Sequence, residues 1–122
     1  MRGVNAAVMF VLELAVYAGA LAWAWTLDSV AATAVAAVLA IAVLVGVWAR
    51  FGAPTAARPA LGAARVGLET GWFGAGALAW LASGRATWAL ALAGCWAVNL
   101  ALRAAYGQLP TRPPGPAAQQ LP

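Results

Sequence analysis

Two of the three acidic residues in this chain lie inside apolar runs. Glu13 sits in Phe10-Val11-Leu12-Glu13-Leu14, and Glu69 in Val66-Gly67-Leu68-Glu69-Thr70. An ionisable side chain within a bilayer is costly, so it is normally either functional or specifically partnered. Two chemistries suit such a carboxylate. It can bind and release a proton or a cationic ligand, or it can accept hydrogen bonds that order a helical bundle.

The neighbours of each glutamate separate these roles. Tyr17 stands one helical turn beyond Glu13 and could donate to its carboxylate. Glu13 has no charged neighbour on its own segment. At ~1.5 Å per residue it is expected about 12 Å into its helix, well inside the hydrocarbon. An isolated carboxylate at that depth tends to keep its proton, which makes Glu13 the candidate proton or ligand site. The plainer alternative is an interhelical hydrogen bond, a contact that often adds only ~0.6 kcal/mol in a membrane. Glu69 has Arg65 four residues earlier, so an ion pair along the helix is allowed. A structural, more interfacial role is expected for it.

Other candidate residues come from the aromatic and amide groups. Asn99 is a natural hydrogen-bond partner for a glutamate across a bundle. Arg103, one turn on, could pair with it instead, although reaching out to lipid headgroups is the expected role. Trp72 and Trp96 fall on the same helix faces as Glu69 and Asn99 respectively. Aromatic rings beside a carboxylate would suit a lipophilic cation or a flat apolar ligand; ordinary packing is the competing explanation. Trp25 and Trp48 are expected in interfacial belts.

These side chains must be held by membrane helices. The chain has 122 residues, 65% hydrophobic and 8% charged, against about 45–50% apolar and 25% charged in a soluble domain. Four apolar stretches are read as helices, at about residues 5–27, 30–49, 62–82 and 86–106. Each approximates the ~20 residues that cross ~30 Å of hydrocarbon. No segment alternates with period two, which argues against a transmembrane barrel. The expected fold is an all-α membrane protein: a four-transmembrane-helix bundle over residues 1–107, arranged as two tandem helical hairpins. Residues 108–122 contain Pro110, Pro113, Pro114, Pro116 and Pro122 and are expected to form a disordered cytoplasmic tail.

Asp28-Ser29 and Ser83-Gly84-Arg85 read as tight turns, whereas the Arg50–Arg65 link is longer and holds Pro54 and Pro59. This topology puts every arginine except Arg85 on one side. The positive-inside rule then places both termini in the cytoplasm. The N-terminal stretch is long and interrupted by Glu13, so it is read as a retained helix rather than a cleaved signal.

Glu13 and Glu69 belong to segments that resemble each other. Each leads on to Gly-Ala-Leu-Ala-Trp, at Gly19–Trp23 and Gly76–Trp80. A duplicated hairpin and chance likeness in an alanine-rich chain both explain this. Gly67, Gly71 and Ala75 form a small-residue stripe opposite Glu69, expected to be the packing side of helix three.

Composition excludes several functions. The net charge of +4 comes from arginines flanking apolar runs, which fits membrane orientation and not nucleic acid. With no histidine and a single cysteine, Cys95, the usual metal and haem ligand sets are absent, as is any intrachain disulfide. No phosphate loop, dinucleotide fingerprint or nucleophile elbow is present, and no cofactor is expected.

The assembled pattern resembles the YrdB-type family of small bacterial membrane proteins, a domain of unknown function. The matching residues are Asn5, Phe10-Val11-Leu12-Glu13-Leu14-Ala15, Trp48-Ala49-Arg50-Phe51-Gly52-Ala53-Pro54, Arg65-Val66-Gly67-Leu68-Glu69 and Val98-Asn99-Leu100-Ala101-Leu102. The resemblance implies a four-helix integral protein of the bacterial inner membrane and no particular activity. The architecture is also similar to that of small multidrug-resistance transporters, which have four short helices, a glutamate in helix one and a dimeric state. Their other motifs have no match here.

The leading expectation is a small transporter or binder of a hydrophobic or cationic molecule, proton-linked through a buried glutamate. Its site would draw on Glu13, Tyr17, Glu69, Asn99, Trp72 and Trp96. The alternatives are a non-catalytic membrane subunit or scaffold, and an enzyme using a glutamate as general acid on a lipid-like substrate. An enzyme is the less favoured class. The expected partners are the lipid bilayer, a small molecule, and a second copy or a partner membrane protein.

Overall fold

The computed structural model describes residues 2–52, 56 and 58–107, apart from the side chains of Arg2 and Asn5. The proline-rich tail lies outside the described residues. Four α-helices follow one another: α1 (Arg2–Ala24), α2 (Val30–Val47), α3 (Gly62–Ala82) and α4 (Ala86–Ala105). A π-helical turn, Trp48–Gly52, extends α2. The fold is the expected helical bundle.

Local chemistry sets the ends. α1 stops at Ala24, short of the expected residue 27, because the chain turns there. Thr26 Oγ1 donates to the Trp23 carbonyl at 2.6 Å. Ser29 then caps α2, its hydroxyl accepting from the Ala32 N–H at 3.0 Å. This satisfies one of the N–H groups that a helix start leaves open. Between α3 and α4, Gly84 adopts φ +82°, a left-handed conformation that glycine takes without a Cβ clash.

α1, α2 with its π-turn, and α4 are each long and apolar enough to cross a membrane, which indicates membrane association. α3 falls outside that set. It is the same length class, but it carries Arg65, Glu69, Thr70 and five glycines. The most polar helix is also the central one. α3 packs on α1 along one side and on α4 along another, and α1 also touches α4. Met9, Leu12, Val16, Trp48, Trp72, Phe73 and Leu92 form the core.

α1 and α3 meet through the repeated segments. A Cβ on Gly76 would stand 2.8 Å from Val16 Cγ2, and one on Gly19 would stand 2.9 Å from the Gly76 carbonyl oxygen. Only missing side chains allow this approach. Trp80 Nε1 crosses the same seam to donate to the Ala15 carbonyl at 2.9 Å.

The packing side of α3 is therefore not the expected one. Gly67, Gly71 and Ala75 are exposed, and a Cβ on either glycine would meet nothing. Interhelical approach uses Gly76 and the Glu69 side instead, because the polar cluster must face other helices to find donors. α2 is the peripheral member. It has no buried residue; it packs along α1 and reaches the core through Trp48 and through Trp72 Nε1, which donates to the Leu44 carbonyl at 2.9 Å. A uniformly apolar helix left uncovered by its own chain suits a lipid environment.

Candidate functional site

The two glutamates have different surroundings. Glu69 is fully buried, at 0% exposure. Helical spacing brings Arg65 onto the same face of α3, and its Nε donates to Oε2 at 2.8 Å. α4 supplies the remaining donors. Arg103 Nη1 reaches Oε2 at 3.1 Å and Arg103 Nη2 pairs with Oε1. Trp96 Nε1 donates to Oε1 at 3.1 Å. Arg103 thus engages the carboxylate with both terminal nitrogens, the fork geometry that makes arginine–carboxylate pairs strong.

Arg65 extends the cluster to a third element. Its Nη1 donates to the Gly52 carbonyl at 2.6 Å, where the π-turn leaves backbone oxygens without intrahelical partners. Its guanidinium lies 5.0 Å from the Trp48 ring centroid, a cation–π distance. One carboxylate consequently holds α3, α4 and the π-turn together. Two guanidinium groups face it, so the cluster carries excess positive charge. Among the described residues, Arg103 Nε is buried without a hydrogen-bond partner.

Expectation and structure part company at several residues. Arg65 and Glu69 do form an ion pair, and the pair is buried inside the bundle. Arg103 does not reach out to headgroups: it is 7% exposed and bonded to Glu69. An arginine this deep is held by a carboxylate, because unpaired burial would cost far more than the pair returns. Trp48 is not a belt residue. It is 5% exposed and stacks on Trp72 at 4.6 Å, because the π-turn rotates it inward. Trp25, at the opposite end, is 81% exposed as a belt residue would be. Asn99 is buried on the face of α4 that carries Trp96 and Arg103.

Glu13 is only partly buried. Among the described residues it forms no ion pair. Trp48, Arg65 and Glu69 are close enough to act on its carboxylate, and Tyr17 is close enough to feel its charge. Tyr17 packs edge-on against Trp72 with centroids 5.5 Å apart. Trp72 meets Phe73 at 5.1 Å, and Phe73 stacks on Trp96 at 6.0 Å. An unbroken aromatic wall therefore runs from Tyr17, beside Glu13, to Trp96, which bonds Glu69.

Of the residues singled out in the sequence, Glu13, Tyr17 and Trp72 gather at one end of this wall and Glu69, Trp96 and Asn99 at the other. The sequence puts Trp48 in a belt and Arg103 toward the headgroups, and it gives no sign of the Gly52 carbonyl. The spacing of Trp96, Asn99 and Arg103 along one face of α4 was the available signal for Arg103. Nothing in the sequence marks the π-turn that brings Trp48 and Gly52 inward. No group of metal-ligating side chains occurs among the described residues.

Comparison with known proteins adds a family and no activity. Residues 7–97 match the family described as protein of unknown function (DUF2568). The match takes in Glu13, Tyr17, Trp48, Arg65, Glu69, Trp72 and Trp96, and ends before Asn99 and Arg103. No curated protein and no solved structure gives a significant match. The chain belongs to the DUF2568 family.

Proposed function

We propose that this protein is a small carrier or binder of a hydrophobic or cationic molecule in the bacterial inner membrane, with Glu13 as the proton-exchanging group. Both termini and the Arg50–Arg65 link face the cytoplasm in this reading. The supporting observation is the unequal treatment of the two carboxylates. Glu69 is saturated by three side-chain donors. Glu13 is partly accessible, forms no ion pair among the described residues, and has Tyr17 and Trp48 beside it. A carboxylate that must take up and release a proton or cation needs that freedom.

The test is flux in liposomes under an imposed pH gradient, with tetraphenylphosphonium as the probe cation. Glu13→Gln abolishes proton-coupled flux while helical content and detergent behaviour stay unchanged. Wild-type flux persisting in that variant would remove the assignment.

A second reading, a non-catalytic membrane subunit or scaffold, has its own support. The Glu69 cluster rigidly joins α3, α4 and the π-turn without presenting an open face. Here Glu13→Gln is tolerated, and an identified membrane partner crosslinks to the protein in native membranes. A monodisperse, partner-free protein counts against it.

A further inference from the structure

The open side of α3 faces α2 across a groove. Its wide half, about 900 Å³, lies between Leu39 and Val43 of α2 and Ala75 and Ala79 of α3, with Ala20 of α1 at its floor. The narrow half, about 310 Å³, continues between Val43 and Val47 on one side and Gly67 and Gly71 on the other. Val43, Leu44 and Ala75 line both halves, so the two adjoin.

The narrow half leads to an end with uncompensated positive charge. The next residues after Val47 form the π-turn that carries Arg50. The chain entering α3 runs back alongside it: the Arg58 N–H donates to the Arg50 carbonyl at 3.0 Å, and the Ala60 N–H to the Phe51 carbonyl at 2.8 Å. This pairing fixes the Arg50 and Arg58 backbones side by side. Both side chains are exposed, and neither forms an ion pair among the described residues. At the opposite end, the links carry Asp28 against Arg85, and their charges offset.

We infer that the α2–α3 groove is a binding site for an acidic phospholipid, its phosphate held by Arg50 and Arg58 and one acyl chain lying along Gly67 and Gly71. Charge complementarity selects the headgroup. The dimensions suit the tail. A leaflet's hydrocarbon is about half of ~30 Å, and the distance from Gly67 to Ala75 along α3 is about 12 Å. A tail entering at the arginine end therefore extends to the widening at Val43 and Ala75. Gly67 and Gly71, without side chains, leave that side of the groove open enough to admit it. This site shares no residue with the Glu69 ion-pair cluster; Trp72, which borders its narrow half, also packs on Tyr17 at the Glu13 end of the aromatic wall.

The full chain in mild detergent is titrated with dioleoyl phosphatidylglycerol and, separately, dioleoyl phosphatidylcholine, with bound lipid counted by native mass spectrometry. Two juxtamembrane arginines favour the acidic headgroup about 30-fold. Arg50→Gln with Arg58→Gln brings the two lipids to equal affinity. A Cβ at position 71 meets no atom within 4 Å; Gly71→Leu fills the groove and weakens both lipids, and Gly71→Ala does so less. Glu13→Gln changes neither. Equal affinity for the two lipids in the unaltered protein overturns the site. So does selectivity that survives the double arginine replacement. Unchanged binding in folded Gly71→Leu and Gly71→Ala overturns its placement in the groove.

Discussion

α3 has two sides that behave as different materials. One side carries Arg65, Glu69, Trp72, Phe73 and Gly76, all buried. It is closed by charge-assisted hydrogen bonds from α4 and by backbone approach from α1. The other side carries Gly67, Gly71 and Ala75 and stays open toward α2. In lipid, apolar surface gains little from being covered by another helix, since lipid tails are as apolar as leucine. Polar groups gain a great deal from meeting each other. The side with the carboxylate therefore became the core, and the smooth small-residue side became a groove.

The largest expected effect breaks the closed side at its charge. Glu69→Ala leaves Arg65 and Arg103 buried without their anion, and removal of one partner of a buried pair costs about 3–5 kcal/mol. A detergent-unfolding titration should show this loss, whereas Glu13→Gln should shift the same curve by under about 1 kcal/mol. Equal losses at the two glutamates would erase the distinction between them.

The next effect compares the glycines directly. Gly76→Ala places a Cβ against Val16, and overpacking of this kind costs about 1–3 kcal/mol. Gly71→Ala meets no atom and should be neutral or stabilising by up to about 1 kcal/mol through helix propensity. Thermal unfolding of the two variants in one detergent decides it. A smaller loss is expected from the hydrogen bond at the α1–α3 seam. Trp80→Phe removes the bond to the Ala15 carbonyl while keeping most of the ring, and should cost about 0.6 kcal/mol.

Much of the fold was legible in the sequence. Runs of alanine, leucine and valine long enough to span hydrocarbon locate α1, α2 and α4, and Ser29 and Gly84 mark the breaks between neighbours. The candidate site was legible only in part. Arg65 and Glu69 are four residues apart on one helix, so their pairing follows from local geometry. The partners on α4 do not. Arg103 stands one turn from a helix end, where snorkelling and burial look the same in sequence. The difference is whether a carboxylate from another helix waits within reach. Trp48 posed the same difficulty, because one π-turn decides whether a helix-end indole points to the interface or to the core.

The sequence by itself determined that this is an apolar four-helix chain with two intramembrane-type carboxylates, because composition and run length are properties of single segments. Only the tertiary structure decided which carboxylate is claimed, which side of α3 is closed and where the open groove lies. Those outcomes depend on donors from other helices, and a lone segment carries no record of the neighbours that will satisfy it.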